Sequence, residues 1–147
     1  MVGSYIDSSG NPHGFFANAG TFSNIDFPGS TGTNASGIND SDEVVGVYAD
    51  MGGQQHGFLD NAGTWTSLDY PGAVVTAAAG VNTAGDIVGV WQDAALNTHG
   101  FLYSDGAFSK VDVVGAQDTR LTSIKNSGAL TGQFTDALNE EHGIRGH

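Results

Sequence analysis

Four histidines, His13, His56, His99 and His142, stand 43 residues apart, and each is followed by a glycine. Imidazoles at a fixed interval are what a ring of metal or ligand sites would need, because a ring nitrogen can coordinate metal and the group titrates near neutral pH. Asp7, Asp50, Asp93 and Asp136 keep the same interval upstream of the histidines, and Asp26, Asp69 and Asp112 keep it downstream. Binding and catalytic sites are as a rule unique in a chain, whereas packing residues recur with the unit that packs. The recurrence therefore favours structural positions: one histidine per unit hydrogen-bonded to a neighbouring turn, and Asp26, Asp69 and Asp112 capping the turns that follow them through backbone N–H groups.

Two binding chemistries stay open. The loops after Asp7, Asp50, Asp93 and Asp136 could carry calcium, which takes six to eight oxygen ligands. Asp7-Ser-Ser-Gly-Asn11 offers such oxygens, but Asp93-Ala-Ala-Leu-Asn97 offers few. The expectation is no metal and no cofactor, with calcium the one exception left open. Trp65, Trp91, Tyr70 and Tyr103 could stack on the C–H faces of sugar rings between units, with nearby carboxylates accepting hydroxyl protons. Trp91 shares a recurring column with Tyr48, where packing competes with binding, whereas Tyr70 and Tyr103 adjoin turns and are expected to be exposed. For catalysis, no Gly-x-Ser-x-Gly, His-Glu-x-x-His or phosphate-binding glycine loop occurs. Glu140-Glu141-His142 is the one acidic pair beside a histidine, and it reads as a solvated turn. No catalytic residue is assigned, and the expectation is a non-enzyme.

The elements that would hold these residues repeat with them. The register runs without insertion through residues 1–43, 44–86, 87–129 and a partial unit 130–147, read as one repeat domain. The stretch from Thr76 to Val113 shows the local pattern. Thr76 to Val81 is small and apolar, Asp86-Ile-Val-Gly-Val-Trp91 is rich in β-formers, and His99-Gly-Phe-Leu-Tyr103 follows a polar loop. Ala107 to Asp112 then alternates apolar and polar. Four short strands with Gly, Asn and Asp between them, and no apolar stripe at helical spacing, predict an all-β fold of four-stranded antiparallel blades. A β-propeller suits a period of this length, and a β-solenoid is the rival. The chain is expected to begin on a second strand and stop on a third. Its strand Asp118 to Ile124 would then look outside the chain for partners. Such an open stack favours association, either with a further copy in a ring or filament or with neighbouring repeats.

Charge narrows the partners. There are 16 acidic and 4 basic side chains, for a net charge of −12. Lys110, Arg120, Lys125 and Arg145 are the basic ones, so residues 1–109 hold none. Such a surface repels phosphate backbones and anionic lipid, which argues against nucleic acid and membrane partners. With no cysteine, disulfides, thiolate metal sites and a cysteine nucleophile are excluded. No apolar run approaches the ~20 residues of a membrane-spanning helix. Met1 sits in the column of Val44, Ile87 and Leu130, so the chain reads as starting inside a repeat.

The combined motif has a familiar form. Gly37-Ile38-Asn39 and Gly80-Val81-Asn82, His56-Gly57-Phe58-Leu59, and Asp69-Tyr70-Pro71-Gly72 resemble the bacterial HAF-type extracellular repeat. The match covers essentially the whole chain. Val114 replaces the proline in the third unit, Ser123-Ile124-Lys125 replaces Gly-Ile/Val-Asn, and Ile144 replaces phenylalanine in the fourth. The resemblance implies a secreted or cell-surface location and a propeller-like fold, and it brings no catalytic residues. Two functions are expected: a non-enzymatic extracellular structural or adhesion module that self-associates, or a carbohydrate-binding, lectin-like propeller.

Overall fold

The computed structural model describes residues 1–146. All fourteen strands among them are antiparallel and fall into four separate sheets, with no helix. The first sheet holds β1 (Val2–Ile6), β2 (Pro12–Asn18) and β3 (Thr21–Ile25). The second holds β4 (Gly32–Ile38), β5 (Val44–Ala49), β6 (Gln55–Asn61) and β7 (Thr64–Leu68). The third holds β8 (Val75–Val81), β9 (Ile87–Gln92), β10 (Thr98–Ser104) and β11 (Ala107–Val111). The fourth holds β12 (Asp118–Ile124), β13 (Leu130–Thr135) and β14 (Glu141–Gly146). Each is an up-and-down meander, and the first lacks the strand that β4, β8 and β12 supply to the others. One expectation needs correction: β12 finds its partners inside the chain, pairing along β13, which pairs along β14.

Turn chemistry sets this pattern. The hairpins β2–β3, β6–β7 and β10–β11 turn on Ala19-Gly20, Ala62-Gly63 and Asp105-Gly106, all with positive φ. This is the tight turn whose twist matches paired strands. Between sheets, Phe27-Pro28-Gly29-Ser30 and Tyr70-Pro71-Gly72-Ala73 close with an i to i+3 backbone bond and positive φ at the glycine, as a type II turn requires.

Each interface between consecutive sheets has a donor side and an acceptor side. Val45, Leu59, Leu68 and Tyr70 of the second sheet and its following link meet Ala78, Val81, Ile87, Trp91 and Phe101 of the third. The first interface repeats this with Val2, Phe16, Ile25 and Phe27 against Ala35, Ile38, Val44, Tyr48 and Phe58. The third repeats it with Val88, Leu102 and Val111 against Leu121, Ile124, Leu130 and Ile144. Among the described residues the main contacts between sheets run between consecutive ones. At one end of the opening strands, Asn39 Nδ2 donates to the carbonyl of Asn82, and Asn82 Nδ2 to that of Lys125, stepping from sheet to sheet.

Candidate functional site

Every histidine of the recurring column sits against carboxylates on the acceptor side of its sheet. In the first sheet, His13 Nδ1 lies 3.0 Å from Asp26 and Nε2 lies 3.1 Å from Asp7. His56 has Asp69 at 2.6 Å and Asp50 at 3.1 Å. His99 has Asp112 at 2.8 Å and Asp93 at 3.2 Å. Among the described residues His142 meets Asp136 alone, at 3.0 Å. An imidazole can donate to two carboxylates at once only when both ring nitrogens carry protons. Asp7 and then Asp26 accordingly hold the His13 pKa above its ordinary value of 6.5. Burial pulls His56 down, but Asp69 and Asp50 outweigh it and the net shift is upward.

The upstream aspartates also close loops. Asp7 Oδ1 accepts the amides of Ser9 and Asn11, Asp50 those of Gly52 and Gln54, and Asp93 those of Ala95 and Asn97. Asp136 does the same for Leu138 and Glu140. With one oxygen on the loop and the other on histidine, these groups are spoken for structurally. The Asn11 amide and His13 hold Asp7 at a pKa of about 2, and Asn97 with His99 does the same for Asp93. Asp136, Glu140 and His142 bring three ligand atoms within 4.8 Å of one another.

Asp26, Asp69 and Asp112 do not cap the turns after them. They hold histidine, and the capping falls to threonine. The amides of Phe27, Tyr70 and Val113 each donate at 3.0 Å to Thr33, Thr76 and Thr119. These three threonines are fully buried, so the hydroxyl bond also spares them an unmet polar group. Their spacing is legible in the sequence, but their role depends on how the link folds back.

The aromatic candidates are largely absorbed into packing. Trp91 is 8% exposed, stacked on Tyr70 with centroids 4.1 Å apart and on His99 at 4.4 Å. It therefore cannot serve as a sugar platform. Tyr70, expected to be exposed, is half-buried by the same stack, and Phe27 covers Tyr48 in the same way at 3.7 Å. Trp65 is half-buried against Phe58 and Phe27. Tyr103 is half-buried against Phe108 and the core between the second and third sheets.

Sequence reasoning expected sugar sites between units but missed the residues that line the crevices there. One of about 230 Å³ opens between the first two sheets, lined by Phe16, Asn24, Ile25, Asp42, Val44 and Asp60. Its floor is apolar and its rim carries two carboxylates. At the columns of Asp42 and Asp60 the second interface has Gly85 and Tyr103, and the third has Gly128 and Gly146. The third crevice, about 340 Å³, is lined by Leu102, Val111, Leu130, Ile144 and Arg145 among others. The crevices are equivalent in position and different in chemistry. A signal existed in the departures from the repeat within one column, which a search for agreement passes over.

Fold and site together define an all-β tandem-repeat protein whose histidines brace each sheet and whose open spaces lie between sheets. No family model and no curated protein matches the chain. Among solved structures it is similar to an AofleA mutant from Arthrobotrys oligospora in which three arginines are replaced by alanine. The TM-score is 0.54 at 14% identity, covering 98% of this chain and 49% of that one. The likeness is one of fold, and this chain spans about half the length of that structure.

Proposed function

We propose that the chain is a non-enzymatic carbohydrate-binding module of propeller type, of the HAF kind and working outside the cell, with its sugar site in the crevice between the first two sheets. One observation carries this reading: an apolar floor of Phe16, Ile25 and Val44 beneath the carboxylates of Asp42 and Asp60. Sugars present apolar C–H faces and hydroxyl edges, and pockets that orient small ligands combine apolar walls with a few placed polar groups. Residues 1–109 contain no Lys or Arg, so the crevice favours neutral or amine-bearing sugars over sulfated or uronic ones.

A glycan array on the intact protein tests the proposal, followed by titration of any hit with Phe16→Ala and the double variant Asp42→Asn/Asp60→Asn. Binding of neutral or amino sugars, weakened at least tenfold in both variants, is the expected outcome. Silence across the array, or binding unaffected by either variant, would overturn it.

A further inference from the structure

The crevice between the first two sheets has a counterpart that the chain fills itself. Its floor recurs at the second interface, where Leu59, Leu68 and Ile87 stand in the columns of Phe16, Ile25 and Val44. The rim changes: Gly85 replaces Asp42, and Tyr103 replaces Asp60. Tyr103 packs on the cluster that contains Leu59, Leu68 and Ile87, with the ring of its register partner Phe108 at 4.8 Å between centroids. Asp60 pairs with Trp65 in the same register. Both interfaces possess these columns, so residue choice alone sets the difference. Where the second has a six-membered ring bearing a hydroxyl group, the first has a carboxylate and a space of about 230 Å³.

The rim of the first crevice is negative. Glu43, next to Asp42, is engaged by the side-chain amides of Asn39 and Asn61. Asp60 accepts the Gly63 amide through Oδ1, which leaves Oδ2. Among the described residues no Lys, Arg or His lines the crevice with Asp42 and Asp60. Asn24 accepts from the Tyr5 hydroxyl through Oδ1, which leaves its NH₂ group to donate. Over an apolar floor, a hydrogen bond between a cation and a carboxylate is stronger than one from a neutral hydroxyl. The third crevice has the opposite rim. Gly128 and Gly146 stand in the columns of Asp42 and Asp60, and Arg145 lines it.

Resting on the carbohydrate reading above, we propose that the first crevice selects a protonated amino sugar. The pyranose ring takes the place that the Tyr103 ring holds at the second interface, with its apolar face on Phe16, Ile25 and Val44. Its ammonium group donates to Asp42 and Asp60. The second crevice is closed to such a ligand by Tyr103, and the third repels it through Arg145.

The test is NMR titration of the labelled full chain with the methyl glycosides of glucosamine, N-acetylglucosamine and glucose, in mildly acidic buffer that keeps the amine protonated. The expected result is saturable shifts at the crevice and a preference of roughly tenfold or more for the glucosamine glycoside over the other two. Asp42→Asn/Asp60→Asn removes charge alone, because asparagine tolerates the left-handed backbone of residue 42 and can accept the Gly63 amide. It should abolish the preference. Asp105→Asn/Glu140→Gln removes equal charge elsewhere and should leave the preference intact, which separates the site from the general acidity of the chain. Asp60→Tyr should end binding of all three sugars. Equal affinity for the three, a preference that survives the crevice double variant or is lost in the distant one, or full binding by Asp60→Tyr would overturn this inference and leave the carbohydrate reading standing. Binding of none of the three would overturn both.

Discussion

The first and third sheets share a template, strand for strand from β1 with β9 onward, and differ in what lies on them. In the third, the preceding link lays Tyr70 over Trp91, and β8 closes the edge of β9. In the first, Tyr5 and Phe22 are exposed, and among the described residues β1 pairs with β2 alone. A blade-like sheet therefore holds only half of its own core, and the other half comes from its predecessor. That is the energetic logic of repeat arrays, in which stability is the sum of units and their interfaces.

Paired substitutions break or sharpen this comparison. The largest contrast is expected in the phenylalanine column. Phe58→Ala or Phe101→Ala should cost about 3–5 kcal/mol by urea unfolding, because the side chain leaves a closed core, and half-buried Phe15→Ala should cost far less. Next is the glycine column. Gly89→Ala drives a methyl group into a backbone carbonyl and should cost roughly 3 kcal/mol, whereas Gly3→Ala needs only a shift of the Phe15 ring and should leave the melting temperature nearly unchanged. Thr76→Val strands the Tyr70 amide beneath the third sheet and should cost about 1–3 kcal/mol. Similar costs for both members of either paired column would contradict the comparison.

The histidine braces give a smaller, pH-dependent term. His13 and His56 have raised pKa values, so their contribution is complete below the ordinary 6.5 and fades as pH rises through the raised value. Asp7 and Asp93, lowered to about 2, contribute above their ordinary 3.8 and lose that only as pH falls toward 2. Stability from the braces should therefore be greatest between about pH 4 and 6.5. His56→Gln should flatten the decline above pH 6.5, which thermal melts across pH will check. The smallest effect is expected at Val114, fully exposed in the turn position that Pro28 and Pro71 hold. Val114→Pro should stabilise by about 0.4–1 kcal/mol by restricting the unfolded chain.

Much of the architecture was legible because turns and strands are local. The period, the hairpin glycines and the columns of His and Asp all follow from residue type and spacing. What escaped depends on contacts between units. Trp91 stayed open between packing and sugar stacking because nothing local shows Tyr70 folding over it. Thr76 read as part of a small-residue strand because its partner amide lies across the link. The crevice rim at Asp42 and Asp60 escaped because those columns change residue from unit to unit, and agreement was the signal being followed.

Amide hydrogen exchange on the free chain tests most directly whether each sheet borrows its cover from the one before. The expected result is rapid exchange for the β1 amides that point away from β2, with the matching amides of β5 and β9 strongly protected by β4 and β8. Equal protection in all three strands would show that the first sheet is already complete, and would contradict the account.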